Sequence, residues 1–327
     1  MICDAHVHTW RFPDHYDVDV VRGTLPPKRR DMGEEEMKRI FDLPIEKYIE
    51  ESAGSGVEFA VLLGADAHNE IGLETTNDYL ASVVRKHPRR FACACCVNPT
   101  LGAEAADEVQ RCAHEGAVAV GELTPSMTGY RFDDPRCDPV WEASAALGMP
   151  IVVHAGPSEG PNVDLRLGDL TAVDVVARKF PKLKIVICHM GYPYFDEAIH
   201  LLGKHRNVFA DVSQLQALAG IDRRTLKAGV PVVENPFFNW VYPISGYFSK
   251  IFGSPDKLIW GTDFPAGRPS TCIAAIRDFN KYAERFGFPP VPQVHLDRIL
   301  EDNWRNVFSR IRLDDDRPND EQPQPLV

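Results

Sequence analysis

Short apolar runs rich in β-branched residues alternate with longer amphipathic stretches along nearly the whole chain. This alternation is typical of βαβ units, in which helices connect parallel strands. Eight runs are predicted strands: Met1–Ala5, Val57–Leu63, Phe91–Val97, Ala117–Gly121, Pro150–Val153, Lys184–Cys188, Asn207–Val212 and Leu258–Gly261. The clearest helical stretches are Leu73–Lys86, Ala103–Glu115, Asp138–Leu147, Leu170–Phe180, Tyr194–Leu202 and Thr271–Phe286. The pattern predicts an α/β fold with one (β/α)₈ TIM barrel over residues 1–312.

An open, doubly wound sheet is the competing α/β architecture. It is disfavoured because no Gly-x-Gly-x-x-Gly turn follows the first predicted strand. Two connections are long, Thr9–Ile45 after the first strand and Gln214–Pro255 after the seventh. Long loops at the carboxyl ends of barrel strands usually cover the active site. The Asp/Pro/Gln-rich segment Leu313–Val327 is predicted to be a disordered tail.

The charge balance limits the kinds of partner. The chain has 36 Lys and Arg against 47 Asp and Glu, a formal net charge of −11, which disfavours nucleic acid or an anionic membrane as the main partner. A small-molecule substrate is expected instead, and a homodimer is an open option. The start of the chain has no signal-peptide pattern, and no apolar run is long enough for a spanning helix. The eight scattered cysteines favour reduced, buried thiols in a cytoplasmic protein, with a redox or metal role as the weaker reading.

Polar residues able to bind a metal ion lie at the ends of the predicted strands. They are His6 and His8 after strand one, Glu122 after strand four, His154 after strand five, His189 after strand six and Asp263 after strand eight. The carboxyl ends of barrel strands converge, and residues two apart on a strand point to the same side. Imidazole and carboxylate together suit zinc, iron or manganese. The pattern predicts a site for one or two divalent ions, with zinc favoured.

Each of these residues also has a structural interpretation. A single histidine at a strand end is commonly a hydrogen-bonded structural residue, and a single aspartate is commonly a helix N-cap. Such independent roles do not explain why His6, His8, His154 and Asp263 all fall at equivalent strand ends. Glu122 is balanced between a metal ligand and a carboxylate paired with an arginine at the barrel rim.

Four stretches resemble the amidohydrolase superfamily, and within it the amidohydrolase family 2 branch of metal-dependent hydrolases and decarboxylases. They are Asp-Ala-His-Val-His at 4–8, His154, His-Met-Gly at 189–191 and Gly-Thr-Asp-Phe-Pro at 261–265. The resemblance implies that His6, His8, His154 and Asp263 bind the principal metal. It implies that His189 polarises the substrate or binds a second ion. Many members of the superfamily have a carboxylated lysine at the end of strand four, where this chain has Glu122; some relatives use a glutamate there to bridge two ions.

A bound metal would activate a water molecule, Asp263 would carry its proton, and His189 or the metal would stabilise the oxyanion. This mechanism predicts a hydrolase of an ester, lactone, thioester or amide. The alternative is a non-oxidative decarboxylase or a hydratase acting on an aromatic or unsaturated acid. A binding protein without catalysis is the third option. Candidate substrate contacts are Arg11 and Arg268 for a carboxylate and Trp240 and Tyr242 for an apolar group. The alternatives are that the two arginines are solvated at the barrel rim and that the two aromatic side chains pack their loop onto the barrel.

Overall fold

The computed structural model describes residues 1–158, 163–221, 234–250 and 254–312. Eight parallel strands follow one another around one sheet in chain order, which confirms the predicted TIM barrel. Their bounds are β1 Ile2–Val7, β2 Val57–Leu62, β3 Phe91–Cys95, β4 Ala119–Leu123, β5 Ile151–Val153, β6 Ile185–Ile187, β7 Val208–Asp211 and β8 Leu258–Ile259. The buried apolar runs therefore predicted every strand, with shifts of a few residues at the ends.

Hydrogen bonds between the first and last strands close the barrel. Ala5 N donates to the Trp260 carbonyl at 3.1 Å, and Asp263 N donates to the His6 carbonyl at 2.9 Å. Gly261 lies in this seam, where an added Cβ would stand 2.6 Å from His6 Cβ. Only glycine fits such a close approach of two backbones. The seam therefore places Asp263 directly beside His6.

Ten of the helices are α1 Ile45–Ser52, α2 Asn77–Lys86, α3 Ala103–His114, α4 Asp138–Leu147, α5 Thr171–Lys179, α6 Phe195–Lys204, α7 Tyr242–Lys250, α8 Pro269–Arg277, α9 Phe279–Arg285 and α10 Gln293–Glu301. Two helix predictions need correction. Leu73–Glu74 pairs as a short strand with Asp66–Ala67, and α2 begins after Thr76, whose hydroxyl accepts from Tyr79 N. The stretch predicted as one helix over Thr271–Phe286 is two helices that meet at Asp278.

Most of the apolar core lies in two layers. Between the strands and the outer helices lie large side chains such as Trp141 and Trp240, both fully buried. Inside the barrel the residues are mostly smaller, including Cys3, Ala5 and Cys188. All eight cysteines are free thiols, and all except Cys96 are buried. No helix among the described residues is long and apolar enough to cross a membrane.

The connection Thr9–Ile45 contains two helices, Val18–Thr24 and Glu34–Phe41. It is held at its base by a bridge between Trp10 and Leu43 and by the Arg11–Asp42 ion pair. The connection Gln214–Pro255 includes Leu215–Leu218, a π-helical turn at Phe237–Val241, and α7. Its residues 222–233 and 251–253 lie outside the described residues, as does the predicted tail Leu313–Val327.

Candidate metal centre

The strand-end residues predicted as metal ligands meet at the carboxyl end of the barrel. His6 Nε2 lies 3.1 Å from His8 Nε2 and 3.5 Å from Asp263 Oδ1. Glu122 Oε2 lies 3.5 Å from His6 Nε2 and 3.3 Å from His8 Nε2. We call His6, His8, Asp263 and this oxygen of Glu122 the first ligand group. All four side chains are buried, and the most accessible of them, Asp263, has 11% of its side-chain surface exposed.

The hydrogen bonds around the two histidines identify which ring nitrogens are free to bind. His6 Nδ1 lies 2.9 Å from Asp211 Oδ2, and His8 Nδ1 lies 3.2 Å from the Leu63 carbonyl. Both partners only accept, so each Nδ1 carries the proton and each Nε2 of the neutral ring carries a lone pair. The two Nε2 atoms thus lie side by side, and each is within 3.5 Å of a Glu122 oxygen and of an Asp263 oxygen, an arrangement that a cation stabilises.

Glu122 also faces a second set of histidines with its other oxygen. Its Oε1 lies 3.2 Å from His154 Nδ1 and 3.6 Å from His189 Nε2. These three residues form a separate set close enough to hold one ion, and we call them the second ligand group. The structure therefore groups His154 with His189 and Glu122, whereas the resemblance placed it with His6 and His8. The rim-arginine alternative for Glu122 does not hold, since the side chain is buried among four histidines.

Charge within the cluster favours a cation. Burial disfavours ionisation of Glu122, but the charge of His6 and hydrogen bonds with His154 and His189 hold the pKa of this carboxyl well below its usual range. Burial also disfavours the charged form of His8, yet hydrogen bonds with Asp263 and Glu122 raise the pKa of His8 to about 9. The carboxylates therefore attract positive charge to the point where the imidazole nitrogens meet.

Three backbone features aim these side chains. His189 has φ 53° and Asp263 has φ 54°, a left-handed conformation that few non-glycine residues adopt. Such residues persist where the surrounding structure imposes them, and they concentrate at functional sites. Gly121, just before Glu122, has φ 145°, and a Cβ there would stand 2.4 Å from the Val152 carbonyl oxygen. Glycine at 121 is what lets β4 turn the Glu122 side chain toward the cluster.

Two further carboxylates support the cluster, and neither was predicted from the sequence. Asp211, at the end of β7, accepts from His6 Nδ1 and from His189 N at 2.8 Å. Asp4 accepts from the Thr262 backbone N at 2.9 Å and the Tyr48 hydroxyl at 2.9 Å, so it fixes the residue before Asp263. In the sequence, Asp211 could have been recognised as a charged residue near the end of a predicted strand, a position that it shares with the proposed ligands.

The four predicted substrate contacts are dispersed. Trp240 is fully buried in the core against Phe279, and the Tyr242 hydroxyl donates to Asp196 at 2.7 Å at the start of α6. Both side chains make contacts of the kind that the structural alternative describes. The Arg11 guanidinium is held by Asp42 through two hydrogen bonds, and Arg268 is exposed just before α8. A substrate role for these four residues therefore stays a prediction.

A TIM barrel with four histidines and three carboxylates at the carboxyl ends of its strands is typical of barrel enzymes that work with divalent ions. A family model described as amidohydrolase matches residues 3–310, and the chain belongs to that family. The resemblance found in the sequence motifs is thereby confirmed. No curated protein sequence matches the chain.

Solved structures with the same fold include enzymes of different reaction classes. A 5-carboxyvanillate decarboxylase from Sphingomonas paucimobilis has a TM-score of 0.60 and 17% identity, covering 94% of this chain and 98% of its own. A probable 2-pyrone-4,6-dicarboxylic acid hydrolase from Acinetobacter baumannii has a TM-score of 0.60 and 17% identity, covering 94% and 99%. A 4-oxalomesaconate hydratase from Rhodopseudomonas palustris has a TM-score of 0.56 and 18% identity, covering 95% and 96%. At such identities the likeness establishes the fold, and the reaction has to be argued from the site.

Proposed function

We propose that this protein is a metal-dependent hydrolase whose two divalent ions share Glu122. The observation that carries the proposal is the division of the Glu122 carboxylate, one oxygen facing His6 and His8 and the other facing His154 and His189. The first ligand group, which includes Asp263, would hold one ion, and the second ligand group would hold the other. Paired ions in hydrolytic sites lie about 3.5–4 Å apart, a spacing that the two oxygens of one carboxylate can bridge.

The donor atoms fit a borderline or hard divalent cation. Imidazole nitrogens and carboxylate oxygens make up both groups, so we propose zinc, with iron or manganese as the alternatives. An ion held by these residues would polarise a carbonyl group and acidify a water molecule. The fixed hydrogen bonds of His6 Nδ1 and His8 Nδ1 keep the Nε2 lone pairs available for that purpose.

Asp263 is the proposed proton carrier of the reaction. Its backbone N is fixed by the His6 carbonyl at 2.9 Å, and its Oδ1 stands 3.3 Å from His8 Nε2. From this place at the mouth of the barrel it takes the proton of the attacking water and returns it to the leaving group. His189 is held by the Ser213 hydroxyl, 2.8 Å from Nδ1, with Nε2 directed at Glu122. This orientation favours ligation of the second ion over direct contact with the substrate.

The substrates proposed are small esters, lactones, thioesters or amides with a carboxylic or aromatic part. The second candidate is a decarboxylase or hydratase of an aromatic or unsaturated acid. It is favoured by the fold likeness to a decarboxylase and a hydratase. The two candidates differ in what they ask of the site, because decarboxylation needs charge stabilisation and substrate orientation but no attacking water.

A substrate panel separates the candidates. The full-length protein, loaded with zinc, is assayed against esters, lactones, thioesters and amides on one side and aromatic and unsaturated acids on the other. Hydrolysis of one of the first classes, absent in zinc-loaded Asp263→Asn, supports the proposal. Release of carbon dioxide, or addition of water to a double bond, with no hydrolysis would replace it with the second candidate.

A further inference from the structure

Asp211 contacts one histidine from each ligand group. Its Oδ2 lies 2.9 Å from His6 Nδ1, and its Oδ1 accepts from His189 N at 2.8 Å. The side chain is buried, at 1% exposure, and comes from the end of β7, between the strands that carry His189 and Asp263. A carboxylate in this position has no access to solvent or to a substrate, so it acts through the two histidines.

The two oxygens of Asp211 differ in what they accept. Oδ1 accepts from His189 N, from Ser213 N at 3.0 Å and from the Ser213 hydroxyl. Oδ2 accepts from the His6 ring. Because the Ser213 hydroxyl donates to Asp211, it accepts the proton of His189 Nδ1, 2.8 Å away. One carboxylate thus sets the tautomer of His6 directly and that of His189 through Ser213.

We propose that Asp211 is a positioning residue that holds the proton of His6 on Nδ1 and so keeps His6 Nε2 free to bind an ion. The inference rests on the proposed ligand role of His6 and is independent of which reaction the site catalyses. Without an acceptor at Nδ1, no hydrogen bond stabilises the neutral tautomer that carries its proton on that atom. A proton on Nε2 would point into the first ligand group and block it.

An amide at position 211 separates this role from simple packing. In Asp211→Asn three donors still surround the Oδ1 position, so the amide oxygen is held there and the NH₂ group faces His6 Nδ1. Two N–H donors then face each other, so the tautomer of His6 that carries its proton on Nε2 becomes the more stable one. The side-chain volume is unchanged. Ser213 Oγ, 3.3 Å from His6 Nδ1, is a weaker alternative acceptor, so the double variant with Ser213→Ala removes it.

The test uses the full-length chain and Zn²⁺ alone. Nitrogen NMR of the histidine rings, recorded at a pH above the raised pKa of His6 so that the ring is neutral, reports the tautomer in metal-free protein, and calorimetric titration reports Zn²⁺ affinity. We expect His6 to be protonated on Nδ1 in the wild type and on Nε2 in Asp211→Asn, with about 10- to 100-fold weaker Zn²⁺ binding at the first ligand group. Ser213→Ala alone should change affinity less, since the Ser213 carbonyl, 3.3 Å from His189 Nδ1, still accepts from that ring. Asp174→Asn, at a surface aspartate bound to Lys204, is the matched control.

Two results would overturn the inference. One is a wild-type His6 that carries its proton on Nε2, a measurement that needs no variant to fold. The other is an Asp211→Asn protein with the wild-type tautomer and Zn²⁺ affinity. Neither result depends on turnover. A protein that binds one ion or proves to be a lyase would therefore contradict the proposed function while leaving the tautomer shift intact.

Discussion

The Nε2 atoms of His6 and His8 lie 3.1 Å apart at the end of β1, where only Val7 separates the two residues. The period of two in a strand places both rings on one side, and acceptors at each Nδ1 turn both lone pairs inward. Two lone pairs at this separation repel unless a positive charge lies between them. The pair is therefore arranged so that a proton or a metal ion can lie between the two rings.

Replacing both histidines should remove one ion without unfolding the barrel. The double variant His6→Ala with His8→Ala deletes two of the ligands in the first group, while the core between strands and helices stays intact. We expect the metal content to fall by about one equivalent and the circular dichroism spectrum to be unchanged. His114→Ala with His200→Ala, two exposed histidines on α3 and α6, is the control. A full metal complement in the first variant would refute the ligand assignment.

Asp263→Asn should lose far more turnover than metal. His6, His8 and Glu122 remain to hold the first ion, whereas the amide cannot carry a proton between water and leaving group. A loss of about 10²- to 10⁴-fold in kcat is expected, with nearly unchanged zinc content. Elemental analysis and steady-state kinetics on the same preparation check this. Metal lost in proportion to activity would instead make Asp263 chiefly a ligand.

The seam between β1 and β8 should not tolerate a methyl group. In Gly261→Ala the new Cβ would stand 2.6 Å from His6 Cβ and 3.0 Å from His6 N, so backbone must move. Overpacking of this kind costs about 1–3 kcal/mol of the free energy of unfolding. Gly203→Ala, near the end of α6, has open space and should stabilise by up to about 1 kcal/mol. Urea denaturation measures both, and equal effects would argue against a tight seam.

The connection Thr9–Ile45 should behave as a wall or lid of the pocket. Lys28, Arg29 and Arg30 are exposed in it and offer trypsin a cleavage site. Once the substrate panel has identified a reaction, its product at saturating concentration should slow cleavage there. Cleavage after exposed Arg166 gives the comparison within the same digest. An unchanged rate in Thr9–Ile45 would show that the connection does not cover the site.

The strands and most of the candidate ligands could be predicted from the sequence because both follow local patterns. A buried parallel strand is a continuous apolar run, and a polar residue at its carboxyl end must lie at the barrel mouth. The partition of the histidines could not be predicted in the same way. The partition depends on the directions in which the side chains point. His189 has a positive φ, which cannot be predicted from the sequence His-Met-Gly.

Asp211 and Trp240 show two further limits. Asp211 lies at a strand end like the predicted ligands, but its partner His6 is 205 residues away in the chain, so only the fold reveals its role. Trp240 belongs to an aromatic stretch whose composition suits a ligand pocket and a core equally well. Packing against Phe279, in a different helix, places it in the core. Contacts between distant elements decide both cases.

Metal stoichiometry in the wild type and in Glu122→Gln tests the shared carboxylate most directly. The account predicts about two zinc ions per chain in the wild type, because each Glu122 oxygen faces its own group of histidines. It predicts loss of at least one ion and of hydrolysis in Glu122→Gln, whose amide nitrogen cannot bind a cation. Glu142→Gln, at an exposed glutamate on α4, should keep both ions. One ion per chain in wild type and Glu122→Gln alike, with activity retained, would contradict the two-ion site and favour decarboxylase or hydratase chemistry.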